Sequence, residues 1–279
     1  MSVPTTTLPS GDEMPMVGFG TWDLSDGTAT ESVTTALEAG YSHVDTAEGY
    51  HNEAQIGEAL EAVDRSELFL TSKVLPKHLD YESVIASAEA TLDRLGTDYL
   101  DLYLVHWPNP AISIRETLGA MAELHERGLV RNVGVSNFSP YQLSAALHVT
   151  EVPIAVNQIE FHPYLQREDW VEYTKDQDVT VEAAAPLARG EVLEDPVVQE
   201  LAEDYGKTPA QIVLRWAIEN DVVVVPKSSS EDHIAANLAV TDWELDPADH
   251  ERLSDLGRGQ AVYDSREKDW SDDVYGIEP

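Results

Sequence analysis

No cysteine occurs among the 279 residues, which excludes a disulfide framework, thiolate metal ligands and a cysteine nucleophile. Basic residues are also scarce: six Lys and eleven Arg stand against 52 Asp and Glu, for a formal charge of −35. Nucleic-acid binding needs clustered cations to neutralise phosphates, so that class is excluded, and an anionic membrane surface is an equally poor partner. No apolar run approaches the ~18 residues that span a bilayer. The opening stretch MSVPTTTLPSGDEMPM has neither a basic n-region nor an apolar h-region, so no secretory signal is expected. These absences predict a soluble, cytoplasmic protein with no nucleic-acid or membrane partner, and a monomer in the absence of a long exposed apolar segment.

The acid is spread along the chain. Residues 241–279 carry 12 acids and 4 bases, against 40 and 13 in the first 240, so the charge is no detachable tail. A uniformly acidic, Lys-poor composition fits a halophile's protein, whose self-repulsion is screened within a few ångströms in molar salt. Hydrophobic residues still make up 42%, enough to build a core.

Eight short apolar runs recur as strand candidates: Met16–Gly20, Tyr41–Asp45, Leu68–Lys73, Leu100–His106, Val130–Val135, Ile154–Glu160, Val179–Ala184 and Val222–Pro226. Between them apolar residues return every three or four positions, as in Val84, Ala88, Leu92 and Leu95, which predicts helices. The helical stretches are Thr28–Ala39, Glu53–Ala62, Tyr81–Leu95, Ile114–Arg127, Ser139–Leu147, Asp169–Lys175, one long stretch Pro196–Glu219, and Ser230–Leu238. Eight βα units with no linker or composition break favour a closed α/β fold, a (β/α)8 TIM barrel, as one domain over 1–279. GFGTWD at 18–23 lacks a third glycine, and no GxGxxG follows any strand, which argues against a doubly wound dinucleotide fold. Pro-Ser-Gly-Asp at 9–12 predicts an N-terminal β-hairpin under the barrel. Residues 246–257 read as a C-terminal helix, followed by an irregular tail carrying Tyr263, Trp270 and Tyr275.

In such a barrel, chemistry sits at the C-terminal strand ends and in the loops that follow. Those positions hold Thr21 and Trp22, Asp45 and Tyr50, Lys73, His106 and Trp107, Ser136 and Asn137, Gln158 to His162, Arg189, and Lys227 with Ser228. Four of them titrate in a useful way. A tyrosine is a poor acid at neutral pH unless a neighbouring ammonium lowers its pKa, and an Asp would hold that ammonium in place. Tyr50 beside Lys73 and Asp45, with His106 to orient a carbonyl, therefore reads as a general-acid set. It needs an external hydride source, which implies a nicotinamide cofactor.

The motifs MPMVGFGTW (14–22), GYSHVDTAEGYHNEAQIGEAL (40–60), TSKV (71–74), LDLYLVHWP (100–108), VGVSNF (133–138), NQIEFHP (157–163) and VPKSS (225–229) resemble the aldo/keto reductase family over about residues 10–257. The order and length of these motifs make coincidence improbable. The resemblance is nearest to the smaller microbial members, similar to 2,5-diketo-gluconate reductases. It implies a catalytic tetrad of Asp45, Tyr50, Lys73 and His106, and nicotinamide contacts from Ser136, Asn137 and Gln158. Phosphate contacts would come from Lys227 and Ser228, with further cofactor contacts from Gly20, Thr21, Leu187, Ser229, His233 and Asn237. Trp22, Tyr50 and Trp107 would wall the pocket of a small carbonyl substrate, an aldehyde, small ketone or keto-sugar acid reduced to its alcohol.

Two positions depart from the family pattern. Ala184, followed by Ala185, stands where an aromatic ring usually stacks on the nicotinamide, and loss of such a platform costs about 1 kcal/mol. His233 replaces the Arg usual in NADPH-preferring members, and Ala236 an acid; His lacks the guanidinium fork. Lys227 keeps NADP(H) the favoured cofactor, with NAD(H) also within reach. Glu160 and His162 form an E-x-H pair without a third ligand, so no metal site is expected and His162 reads as loop structure. His51 reads as solvent-facing, and His43, like the remaining histidines, shows no clustering. Two rival readings are a Schiff-base aldolase with Lys73 as nucleophile and a cofactor-sensing regulatory subunit.

Overall fold

A computed structural model describes residues 3–263; Trp270 and Tyr275 lie outside them. Short strands alternate with helices in the order expected of repeated βα units. The barrel strands are β3 (Phe19–Gly20), β4 (His43–Asp45), β5 (Phe69–Val74), β6 (Leu100–Val105), β7 (Val130–Ser136), β8 (Ile154–Glu160), β9 (Thr180–Ala184) and β10 (Val223–Val224). Ahead of them, β1 (Thr5–Thr7) and β2 (Glu13–Pro15) form the antiparallel hairpin. All neighbouring barrel strands pair in parallel. The sheet closes where Gly18 N donates to Val224 O, Val224 N to Met16 O and Gly20 N to Pro226 O. Gly20 is required at that seam, because a Cβ there would stand 2.5 Å from the carbonyl oxygen of Val225. Only Phe19–Gly20 of the expected run Met16–Gly20 is continuous strand; Val17 reaches Val224 through an isolated bridge.

The helices are α1 (Asp26–Ala39), α2 (Glu53–Leu60), α3 (Tyr81–Leu95), α4 (Ile114–Glu126), α5 (Pro140–Val149), α6 (Glu168–Asp176), α7 (Pro196–Tyr205), α8 (Pro209–Glu219), α9 (Glu231–Leu238) and α10 (Pro247–Ser254). The long stretch 196–219 is therefore two helices. Gly206 ends α7 in the left-handed conformation, and Thr208 starts α8 with a capping box to Gln211, Pro209 standing in the first turn.

Side chains alternate between the barrel interior and the helix layer, as the two-residue strand period dictates. In β5, Thr71 and Lys73 reach His43 and Asp45 of the adjacent β4 inside the barrel, whereas Ser72 donates to Glu53 of α2. In β8, Gln158 contacts Asp45 and Glu182, while Asn157 contacts Thr174 of α6. The hairpin packs at the opposite end from these strand ends: Met14 is fully buried and Asn132 of β7 donates to Asp12 in its turn. The apolar core lies between sheet and helices, with Phe161 stacked on Trp216 of α8 at 5.0 Å. Among the described residues no helix is long and apolar enough to cross a membrane.

Candidate active site

The strand ends converge on a cleft of about 1080 Å³, at the upper end of small-molecule sites. Asp45 ends β4, Tyr50 closes the 3-10 turn Glu48–Tyr50 just beyond it, Lys73 is the fifth residue of β5, and His106 follows β6. Lys73 Nζ donates to Asp45 Oδ1 at 2.6 Å and to the carbonyl of Thr46 at 2.9 Å, and lies 3.4 Å from Tyr50 Oη. The His106 ring meets Tyr50 edge to face at 5.6 Å. The turn carrying Tyr50 is fixed from both sides. Glu48 accepts from Leu75 N and contacts His78, while Asn52 donates to the carbonyls of Thr21 and Leu24.

Electrostatics separate the four groups. Burial pushes Lys73 toward the neutral amine, but Asp45, Tyr50 and Glu182 together overcome it and hold its pKa above the ordinary value. The buried ammonium is thus paired and fully charged. Burial also pushes Tyr50 above its ordinary value; Lys73 pulls it down and Asp45 and Glu182 push it up. The expected lowering by Lys73 is therefore present but outweighed, because desolvation of a phenolate costs more than one ammonium, already paired with Asp45, returns. Tyr50 is held protonated at neutral pH. Burial, and then Lys73, hold His106 well below its usual range, so its ring is neutral and carries one N–H donor and one acceptor.

Around this group Ser136 Oγ donates to the carbonyl of Gln158, and Asn137 Nδ2 donates to the carbonyl of His106 and to Ser136 Oγ. Asn137 adopts φ 62°, a left-handed conformation that asparagine tolerates better than most residues. Gly20, Leu187, Lys227, Ser228, His233 and Asn237 line the same cleft, as do Trp22, Trp107 and Arg189. Thr21 and Ser229 do not. Thr21 is fully buried and its hydroxyl donates to the carbonyl of Asp45, so it braces the strand end instead. Ala184 and Ala185 face the cleft, and Ala185, Ala188, Arg189 and Gly190 all have positive φ. Three strained non-glycine residues in one short loop, at about 1 kcal/mol or more each, are typical of a loop shaped by function.

The described residues match the aldo/keto reductase family model from 16 to 258. The chain belongs to the aldo/keto reductase family. Relatives span nearly the same length. An aldo-keto reductase of Mycolicibacterium smegmatis is 40% identical over 262 residues, 93% of this chain and 95% of that one. The glyoxal reductase of Bacillus subtilis is 40% identical over 261 residues, 92% of this chain and 94% of its own. Among solved structures, an aldo/keto reductase from Brucella melitensis superposes with a TM-score of 0.87 at 39% identity, covering 91% of this chain and all of that one. A Bombyx mori aldo-keto reductase in complex with NADP gives 0.90 at 30% identity, covering 99% of both.

Two interior residues of this aldo/keto reductase were passed over in the sequence. Glu182 of β9 and His43 of β4 are fully buried beneath the cleft, with Glu182 Oε1 3.7 Å from His43 Nε2. His43, read as unclustered, is thus part of the site's foundation. The available signal was an acid inside the apolar run VTVEAAA, where an unpaired charge would be costly. His162 is buried and contacts Glu160 at 3.0 Å. Glu160 also accepts from Val262 N, which ties the C-terminal segment to the strand end and leaves Tyr263 against Trp107 at 6.3 Å and under Arg189. His51 is exposed.

Proposed function

We propose that the protein is an NADP(H)-dependent reductase of aldehydes or small ketones, in which Tyr50 is the general acid. The observation that carries this reading is a protonated tyrosine 3.4 Å from a buried, paired ammonium, at the edge of a cleft and beside a neutral imidazole. NADP(H) fits the residues present. Ser136, Asn137 and Gln158 supply amide and hydroxyl groups beside the tetrad, Gly20 lines the cleft without a side chain, and Lys227 and His233 supply cationic or polar groups at the rim. When bound, NADPH supplies a hydride to the carbonyl carbon. His106 would hold the carbonyl oxygen by an N–H donor, and Tyr50 would pass its hydroxyl proton to that oxygen as the alcohol forms. Lys73, held by Asp45, would stabilise the phenolate left behind. Trp22 and Trp107 form the aromatic walls of the substrate pocket in this reading.

The same pairing disfavours the aldolase alternative, since an amine nucleophile must lose the charge that Asp45 stabilises in Lys73. The substrate class extends to keto-sugar acids, with Arg189 at the rim as a cation that an anionic substrate would meet. We also read the charge of −35 as a halophile's, and the chain as a single cytoplasmic barrel domain acting as a monomer. The decisive experiment measures NADPH oxidation with a carbonyl panel for wild type and Tyr50→Phe. The variant should keep its fold and NADPH affinity and lose at least about 100-fold in kcat. Near-normal turnover would refute the role of Tyr50.

A further inference from the structure

Glu182 is fully buried, and the reaction described above gives it no task. Its Oε2 accepts from Gln158 Nε2 at 2.8 Å, and the same nitrogen donates to Asp45 Oδ2 at 3.0 Å. Both hydrogens of that amide are therefore committed to carboxyl groups below, which leaves Gln158 Oε1 as its free polar atom in the cleft it lines. Glu182 Oε1 makes no hydrogen bond among the described residues and faces His43, whose ring fills the space that a Cβ on Gly18 would need. The titratable groups around Glu182 are His43 and Asp45 of β4, Lys73 of β5 and Tyr50 beyond β4. On its flanks β8 contributes Gln158 and β10 places Val223 beside it, while Glu160 of β8 is engaged with His162 and Val262.

We propose that Glu182 is a positioning residue for the reactive ring of the cofactor: it fixes the Gln158 amide with its oxygen outward, and its ionisation places negative charge under the cleft that favours an oxidised, cationic nicotinamide over a reduced, neutral one. The proposal rests on the cofactor reading given above. Asp45 and Lys73 cancel each other, so the net charge beneath the cleft is set by Glu182. Burial and repulsion by Asp45 raise its pKa to about 8, with Gln158 and Lys73 opposing. Its neighbours change charge elsewhere: burial depresses His43 to about 4 and holds His106 well below its usual range, while Lys73 and Tyr50 stand above their ordinary values. Between pH 7 and 9, Glu182 is the member of this cluster whose charge changes.

The test is the ratio of dissociation constants for NADP+ and NADPH, measured by calorimetry or quenching of tryptophan fluorescence from pH 6.5 to 9.5. Titration of the shared phosphates and of surface groups cancels in that ratio. In the wild type the ratio should move in favour of NADP+ by on the order of tenfold as pH rises, the influence of one buried charge on another nearby. Glu182→Gln keeps a carbonyl acceptor for Gln158, so it should bind both cofactors with near wild-type affinity at pH 7 but with a flat ratio. Glu182→Leu, which cannot accept, should weaken both severalfold, also with a flat ratio. A flat ratio in the wild type, or a wild-type pH dependence retained in Glu182→Gln, would overturn the proposal. Failure of wild-type protein to bind either cofactor would overturn the cofactor reading instead.

Discussion

Replacing Glu182 by Gln should make the protein more stable at alkaline pH, and the size of the gain follows from two buried groups. In the fold Glu182 is raised from an ordinary 4.5 to about 8, and His43 is lowered from 6.5 to about 4. A raised acid favours the folded state below its unfolded pKa, and that advantage is lost as pH rises through the folded value. A depressed histidine does the reverse: its contribution is present above the unfolded value and is lost as pH falls toward the folded one. Below about pH 6.5 the proton that the folded chain holds on Glu182 is opposed by the protons that the unfolded chain holds on His43 and His106, so the Glu182 slope is masked there. Above 6.5 only the Glu182 proton remains unmatched, and stability should fall by about 1.4 kcal/mol per pH unit until about pH 8. That amounts to about 2 kcal/mol across the window, which the variant does not lose. Urea unfolding of both proteins at pH 6.5, 7.3 and 8.0 in constant salt gives the difference directly, and contributions of groups that do not interact with Glu182 cancel in it. Curves for wild type and variant that run parallel in pH would show that Glu182 holds no such proton.

Two further outcomes test the fold and its setting. Gly20→Ala puts a methyl group 2.5 Å from the Val225 carbonyl at the barrel seam and should cost about 2 kcal/mol or more in unfolding free energy. Gly27→Ala, in a helix with open space at that position, should be neutral or stabilising by up to about 1 kcal/mol; equal losses at both sites would discredit the closure argument. Lowering NaCl from molar to millimolar concentration should reduce Tm and activity, because 52 acids against 17 bases repel one another once the Debye length grows from about 3 Å to 10 Å and beyond. Full activity after dialysis into salt-free buffer would remove the halophile reading.

The barrel was legible because its determinants are local. Each strand is a short apolar run, each helix a three-to-four spacing, and their alternation leaves few topologies. The seam between β3 and β10 was less legible. Only two residues of each form regular strand, and what closes them is a backbone approach permitted by Gly20. The break at Gly206–Pro209 was written plainly as Gly-Lys-Thr-Pro-Ala-Gln at 206–211, but an apolar periodicity that continues across it hides the pause. Asp45, Tyr50, Lys73 and His106 could be placed at strand ends by count, and their contacts follow from β4, β5 and β6 being neighbours. Glu182 and His43 could not be paired from sequence. Their strands, β4 and β9, are separated by β3 and β10 across the seam, so closure brings them together and spacing gives no sign of it.

The opposition between surface and interior is the more general point. Outside, the chain carries a large excess of negative charge; beneath the cleft, Asp45, Lys73, His43, His106 and Glu182 arrange themselves to carry none. Lys73 cancels Asp45, and His43, His106 and Glu182 are each pushed by burial toward their neutral forms at pH 7. Such balance is required, since an isolated charge in this environment costs several kcal/mol while the exposed acids cost little in salt. It also makes the site sensitive. With these groups carrying no net charge, loss of the Glu182 proton is the largest electrostatic change they can make beneath the cleft. Screening by external salt reaches it far less than it reaches the surface. On the halophile reading and the proposal above, salt would govern whether this protein is folded and how readily an anionic cofactor approaches, whereas the protonation of Glu182 would govern what the cleft prefers once the cofactor has arrived.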